Sequence, residues 1–96
     1  MPAPRLTEDR FHLIARALAD PRRYDLLHRI SKAGGTLSCE YLRGCTQVSA
    51  ATVSHHMKEL ETAGLVRSEK DGKFVNYFPQ TRVLRAYLER LKADLT

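Results

Sequence analysis

ATVSHHMKELETAGL, residues 51–65, is the most informative stretch of the chain, because an apolar helical period ends here in a clear stop signal. A helix turns by about 100° per residue. Positions i, i+3, i+4 and i+7 therefore form one stripe that faces the core, namely Val53, His56, Met57 and Leu60. Ser49 is a good N-cap, and Gly64 suits the left-handed position after a helix end. The stretch predicts a helix with well-defined ends.

The face opposite this stripe carries short polar or basic side chains, and its first two turns contain no acidic residue. Short side chains let a helix backbone approach the major groove, and polar ones can still hydrogen-bond to base edges and phosphates. We therefore interpret the stretch as a DNA-recognition helix. The predicted groove contacts are Ser49, Ala51, Thr52, Ser54, His55 and Lys58. A helix that binds another protein is the alternative, but its surface would normally be richer in aromatic or large apolar anchors.

A β-hairpin is predicted directly after Gly64, where the apolar period changes from 3.6 to 2. The two strand-like stretches, residues 65–70 and 73–78, are separated by Asp71-Gly72, which is the signal of a type I′ turn. The basic side chains of this hairpin are Arg67, Lys70 and Lys73. They either contact phosphate or the minor groove, or they keep a soluble turn from edge aggregation. We favour the DNA contact because a recognition helix precedes the hairpin.

Four further helices are predicted from caps and apolar stripes. They begin at Thr7, at Asp20-Pro21, at about Ser38 and at Thr81. The third of them and the recognition helix form a helix-turn-helix. The predicted fold class is mainly α with a small β-hairpin (α+β). It is a winged helix-turn-helix of about five helices and a two-stranded wing, in a single domain over residues 1–96.

The last helix, from Thr81 to about Asp94, carries a stripe of leucines outside the helix-turn-helix. That stripe either folds back on the domain or pairs across a two-fold axis, and the first helix also has an apolar edge to spare. Because two-fold dimers are the commonest oligomers, we expect a homodimer. The predicted interface residues are Leu13, Ala17, Leu84, Tyr87, Leu88, Leu91 and Leu95.

Composition narrows the class of protein. The 96 residues carry a net charge of +5, which favours a polyanionic partner such as double-stranded DNA. No apolar stretch approaches the length of a membrane span, and residues 1–10 lack the apolar segment of a signal peptide, so we expect a cytoplasmic protein without a membrane partner. The sequence lacks a phosphate-cradling glycine loop, a nucleophile motif and a plausible carboxylate pair. An enzyme is therefore not expected.

Three segments carry a family resemblance: ALADPRRYDLLHRI (residues 17–30), SAATVSHHMKELETAGLV (49–66) and KDGKFVNYF (70–78). They resemble the second-helix, recognition-helix and wing motifs of the ArsR/SmtB family of bacterial transcriptional repressors. The resemblance covers roughly residues 11–78. It implies a winged-helix homodimer with terminal helices at the interface. Such a dimer would bind a palindromic operator and leave it when a signal arrives.

The resemblance does not extend to the residues with which members of the family sense a metal signal. Metal-sensing members of the family carry a Cys-x-Cys pair ahead of the recognition helix, and the matching positions here are Ser38 and Glu40, with Cys39 between them. The C-terminal helix offers Glu89 and Asp94 but no histidine for the family's other metal site. One thiolate is too few for a tetrahedral site, so we expect no metal and no cofactor. A small-molecule or redox inducer remains open.

Cys39 and Cys45 are candidates for a redox switch, because a cytosolic cysteine pair can act as one. On a continuous helix they would lie on different faces, although a break near Gly44 could bring them closer. The alternative is that both are small apolar side chains packed in or beside the core. Among the histidines, His55 points outward as a DNA contact, whereas His56 is expected to be a hydrogen-bonded core residue.

Overall fold

Five helices and three strands follow one another in the computed structural model, which describes residues 5–33, 37–45 and 48–96. In chain order they are α1 (Glu8–Ala19), α2 (Pro21–Lys32), β1 (Leu37–Ser38), α3 (Cys39–Cys45), α4 (Ala50–Thr62), β2 (Val66–Asp71), β3 (Phe74–Pro79) and α5 (Thr81–Leu95). This is the winged helix-turn-helix order expected from the sequence. No helix among the described residues combines the length and the apolar character needed to cross a bilayer.

The N-terminal caps expected for the first two helices are present. The Thr7 hydroxyl accepts a hydrogen bond from the Arg10 amide over 3.1 Å, and the Asp20 carboxylate accepts one from the Arg22 amide over 2.8 Å. Pro21 occupies the first turn of α2, where a missing N–H costs nothing. The turn between α1 and α2 is therefore fixed by local chemistry.

The core lies where α1, α2 and α4 meet the base of the β2–β3 hairpin. Its largest fully buried side chains are Ile14, Leu26, Ile30, Leu42, Val53, Met57, Leu60, Leu65 and Val66. Each buried aliphatic side chain of this size contributes about 1.5–3 kcal/mol through removal of apolar surface from water. Since three of the nine come from α4, the core fixes the position of that helix.

The sheet has one strand more than the two-stranded wing expected from the sequence. Its order is β1-β3-β2, and both pairs are antiparallel. Leu37 and Ser38 pair with Tyr77 and Asn76 of β3, and the helix expected from about Ser38 begins directly after them at Cys39. A strand of two residues has no period of its own. Its pairing with β3 joins the wing to the helix-turn-helix.

The turn of the hairpin lies one residue later than the sequence suggested. Asp71 pairs with Phe74, so the two loop residues are Gly72 and Lys73. Gly72 has φ +62°, and no residue other than glycine has positive φ in the described ranges. Positive φ at the first loop position alone fits a type II′ turn rather than the expected type I′ turn. Lys73 therefore belongs to the turn itself.

The terminal helices α1 and α5 contact each other within one protomer. The Tyr87 ring lies 5.2 Å from the Phe11 ring, measured between centroids. The Arg90 guanidinium donates to the Glu8 carboxylate over 2.6 Å and also lies 4.4 Å from the centre of the Phe11 ring. Part of the apolar surface of α5 is therefore used inside the chain.

Candidate nucleic-acid interface

Both ends of α4 are fixed by local hydrogen bonds. At its start, the Ser49 hydroxyl accepts from the Thr52 amide over 3.2 Å. At its end, Gly64 has φ +85°, its amide donates to the Glu61 carbonyl, and the Leu65 amide donates to the Leu60 carbonyl over 3.0 Å. This pair of bonds is a Schellman motif. The cap and the stop signal expected at Ser49 and Gly64 are thus confirmed.

The two faces of α4 separate as the helical period predicts. Val53, Met57 and Leu60 have no exposed surface, and His56 is 5% exposed. The opposite face presents to solvent the residues Ala51, Ser54, His55 and Lys58, while Thr52 is half-buried beside the capping serine. The structure therefore brings five of the six predicted groove residues to the exposed side of the helix, with Thr52 half-buried at its edge.

A side-chain contact ties this helix to the wing. The Ser68 hydroxyl of β2 donates to the Glu61 carboxylate near the C-terminal end of α4. Because Ser68 pairs with Tyr77 of β3, the contact links the recognition helix to the hairpin. Sequence reasoning did not find it, since nothing in the local pattern pairs residues of two different elements.

The basic residues of the wing differ in their surroundings. Arg67 forms an ion pair with Glu69, and its guanidinium lies 4.3 Å from the centre of the Phe78 ring. Lys70 and Lys73 are exposed, and the Lys73 ammonium lies 5.9 Å from the centre of the Phe74 ring. Phosphate would have to compete with Glu69 for Arg67. The two lysines at the tip are freer to meet an anion.

His56 is buried as expected, but the expected hydrogen bond is absent. Neither ring nitrogen has a hydrogen-bond partner among the described residues. Burial lowers the pKa of His56 below its ordinary value, and the nearby carboxylate of Asp20 opposes that shift only in part. The charged form of the imidazole is therefore disfavoured at this position against the N-terminal end of α2.

The two cysteines lie at opposite ends of one continuous helix, because α3 is unbroken at Gly44. Six residues of helix rise about 9 Å, whereas bridged cysteines need Cα atoms within about 7 Å. An intrachain bond between Cys39 and Cys45 would thus require α3 to unwind. Cys39 is buried and accepts from Arg43 over 3.4 Å.

Cys45 has neighbours that its local sequence does not reveal. It is half-buried and shares a hydrogen bond with the Tyr41 hydroxyl, which raises the pKa of Tyr41. Arg29, which forms an ion pair with Asp25, lies close enough to act electrostatically on Cys45. Arg29 belongs to α2, so the spacing of residues around the cysteine could not predict this contact. In the described ranges, no three His, Cys, Asp or Glu side chains cluster as a metal site would require.

The residues expected at a dimer interface fall into three groups. Leu88 and Leu95 are exposed, at 53% and 75% of their surface. Leu13, Leu84 and Leu91 are half-buried, and Ala17 and Tyr87 are buried within the protomer. An interface on this side would draw mainly on the exposed leucines of α5.

Comparison with known sequences places the chain among regulators. A family model described as a helix-turn-helix domain matches residues 18–69. A protein of Halobacterium salinarum, named for a proposed role as an arsenical resistance operon repressor, is 37% identical over 81 residues, which are 81% of this chain and 67% of that protein. The cadmium resistance transcriptional regulatory protein of Listeria innocua is 36% identical over 61 residues. That match covers 64% of this chain, which spans about half the length of the cadmium regulator.

Comparison with solved structures gives the same winged helix-turn-helix fold. A homodimeric winged helix-turn-helix DNA-binding domain of Mycobacterium bovis, described as a possible ArsR-family transcriptional regulator, superposes with a TM-score of 0.71 and 27% identity. The match covers 90% of this chain and 80% of that one. An ArsR family transcriptional regulator structure superposes with a TM-score of 0.83, covering 95% of this chain and 92% of that one, at 22% identity.

Proposed function

We propose that this chain, which belongs to the ArsR/SmtB family of winged helix-turn-helix transcriptional regulators, is a homodimeric repressor that binds a palindromic operator. The observation that carries the proposal is the exposed face of α4. That face is polar and basic, it is unused by the core, and it is held at both ends by Ser49 and Gly64. A rigid helix with a small polar face suits the major groove.

The proposed contacts divide by chemistry. Ser54 and His55 face outward in the middle of α4 and would reach base edges, while Lys58 would hold a phosphate. The remaining groove contacts, Ser49, Ala51 and Thr52, lie at the N-terminal end of the helix, whose amide dipoles favour an anion. Phosphate or minor-groove contacts would come from the wing through Lys70, Lys73 and, in competition with Glu69, Arg67.

Dimerisation would use the exposed leucines of α5. Leu88 and Leu95 leave an apolar surface uncovered in the protomer, and the Mycobacterium bovis relative is described as homodimeric. A two-fold dimer presents two recognition helices to major-groove faces about 34 Å apart. Because such a regulator works on chromosomal DNA, we place the protein in the cytoplasm.

A selection experiment tests this function. The full chain is incubated with a library of random DNA duplexes, and the bound fraction is amplified through repeated rounds. We expect an inverted repeat to be enriched, with half-site centres about one helical turn apart. If no sequence is enriched over the starting library, the chain does not read DNA sequence. Enrichment of a single unrepeated site would instead contradict the dimer.

A redox-responsive repressor is the second candidate, and one contact favours it. The Arg43 guanidinium donates to the sulfur of the buried Cys39 over 3.4 Å, so a cation lies directly against that thiol. This candidate is supported if oxidation abolishes operator binding by the unsubstituted chain. Neither Cys39→Ser nor Cys45→Ser should then lose operator binding on oxidation. Equal binding by reduced and oxidised protein would contradict it.

A further inference from the structure

A cavity of about 510 Å³ lies behind the recognition helix, between α2 and α4. Its apolar lining comes from Pro21, Leu26 and Val48, with the Cys45 side chain beside them. Pockets that bind small molecules are mostly apolar, have volumes of about 300–1,000 Å³, and carry a few polar groups that fix orientation. The size and the lining of this cavity fit that description.

The polar group in the wall is the imidazole of His56. His56 lines the cavity, is 5% exposed, and has two ring nitrogens without a partner among the described residues. Buried polar groups nearly always have a partner, because leaving one unpaired costs about 1–3 kcal/mol. A neutral imidazole carries one donor and one acceptor. Both ring nitrogens are shielded from solvent, so an oxygen of a bound molecule would reach the donor after a small rotation of the ring toward the cavity.

The charged groups at the open side of the cavity are not equally available. The Asp25 carboxylate is already bonded to Arg29 over 2.9 Å. The Arg22 side chain is 63% exposed and forms an ion pair with Asp20, whose carboxylate lies 3.7 Å from the Arg22 Nε. Guanidinium groups bind carboxylates through two parallel hydrogen bonds. Arg22 is therefore the cavity cation that would bind a ligand carboxylate, in competition with Asp20.

We propose that this cavity is an effector site for a small carboxylate with an apolar body. The apolar body would lie against Leu26 and Val48, the carboxylate would bind Arg22, and His56 would hydrogen-bond to an oxygen of the ligand. No metal takes part in this assignment.

Binding at this site would be coupled to DNA binding, a step that rests on the proposed function. The cavity touches α2 through Pro21 and Leu26, and it touches α4 through His56. Val48 directly precedes Ser49, whose side chain caps α4. A ligand that contacts both helices binds with a different affinity when the helices change their relative position. Only such a difference in affinity can shift the equilibrium between the two arrangements. We expect the ligand to weaken operator binding by about 5- to 150-fold, the usual range of coupling between sites.

The test measures ligand binding without DNA, so that it is independent of the proposed function. Indole-3-acetate and 2-naphthoate are titrated into the full chain, with indole-3-acetamide and 2-naphthamide as uncharged counterparts. The signal is the shift of the His56 ring resonances in nitrogen-15 NMR spectra. We expect saturable shifts with the carboxylates and affinities at least about tenfold lower with the amides, since a bidentate charged contact is lost.

Two matched variants locate the site. Arg22→Gln should weaken carboxylate binding to the level of the amides, whereas Arg16→Gln, at an exposed arginine of α1 outside the cavity, should not change it. Both positions are exposed, so the fold is expected to remain intact. Val48→Phe, which adds volume to the cavity wall, should also reduce binding of both carboxylates.

Three outcomes would overturn the proposal. The first is that no carboxylate shifts the His56 resonances up to its solubility limit. The second is equal weakening by Arg22→Gln and Arg16→Gln. The third is ligand binding that leaves affinity for a selected operator unchanged, which would remove the regulatory role. Absence of any selected operator would count against the proposed function instead, without changing the ligand titration.

Discussion

The imidazole rings of His55 and His56 lie 6.0 Å apart, yet one faces solvent and the other faces the protein interior. Neighbouring residues on a helix differ by about 100° in direction, so α4 places one histidine on its exposed face and the other on its core-facing side. His55 lies on the face proposed for DNA. His56 lies in the wall of the cavity behind it. The two positions therefore give separate tests of the two surfaces.

His55→Ala should reduce the affinity for the selected operator by about 1–3 kcal/mol, because a side chain that reads a base contributes mainly at its own base step. Affinity for scrambled DNA should change little. Fluorescence anisotropy titrations on both duplexes at the same salt concentration provide the comparison. Equal losses on operator and scrambled DNA would refute the base-reading role.

Lys58→Ala should weaken binding to every DNA sequence, because a phosphate contact carries no sequence information. The slope of log affinity against log salt concentration should become less steep by about one, as expected when one phosphate contact is lost. Lys92→Ala, at an exposed lysine of α5, is the control and should keep the full slope. If the two variants show the same salt dependence, Lys58 does not contact the DNA phosphate backbone.

Leu88→Asp should convert the dimer to a folded monomer, because it puts a charge into the exposed apolar stripe of α5. Leu88 is 53% exposed in the protomer, so the fold itself should be retained. Ala93→Asp introduces the same charge on the same helix outside that stripe and should leave the dimer intact. Sedimentation velocity gives the oligomeric state of both variants. A dimeric Leu88→Asp protein would place the interface elsewhere.

The free energy of unfolding should fall as the pH drops below about 6.5, the ordinary pKa of histidine. Burial lowers the pKa of His56, with Arg22, Arg23 and His55 acting in the same direction and Asp20 against them. Between the lowered pKa and the ordinary one, the unfolded chain binds more protons than the folded chain, so stability rises with pH there and levels off above that window.

Urea denaturation over a pH series measures this dependence. His56→Gln removes the titrating group, and its stability should therefore change less with pH across the same window. A slope equal to that of the unsubstituted chain would mean that His56 does not titrate differently in the folded and unfolded states.

Gly64→Ala should destabilise the fold by about 1–2 kcal/mol, because Gly64 has φ +85° and a side chain there is strained. An added Cβ would also displace the end of the Arg10 side chain. Gly72→Ala shares the positive φ but meets open space at the wing tip, so it should cost less. Thermal or urea unfolding ranks the two variants. The reverse order would mean that the Schellman motif does not fix the end of α4.

The recognition helix could be predicted from sequence because its determinants are local. The apolar period, the Ser49 cap and the Gly64 stop all lie within one short stretch of chain. By contrast, β1 could not be predicted, since Leu37 and Ser38 are extended only because they pair with β3. The sequence predicts the hairpin turn one residue too early, because an Asp-Gly pair is compatible with two strand registers. The pairing of the whole strand selects one of them.

Contacts between distant elements account for most of what was missed at the candidate site. Arg29 reaches Cys45 from α2, and Glu69 pairs with an arginine that was expected to be free for phosphate. The lack of a hydrogen-bond partner for the His56 ring nitrogens depends on how α2 and α4 pack. No single stretch of sequence encodes that packing. Such features follow from tertiary geometry, whereas periods and caps follow from neighbours in the chain.

The ratio of affinities for operator and scrambled DNA shows whether α4 reads DNA sequence. The purified chain is titrated by fluorescence anisotropy onto the selected inverted repeat and onto a shuffled duplex of the same composition, at one salt concentration. We predict a preference for the inverted repeat of about a thousandfold or more, as sequence-specific regulators show. Equal affinity for both duplexes would mean that the exposed face of α4 does not read DNA sequence.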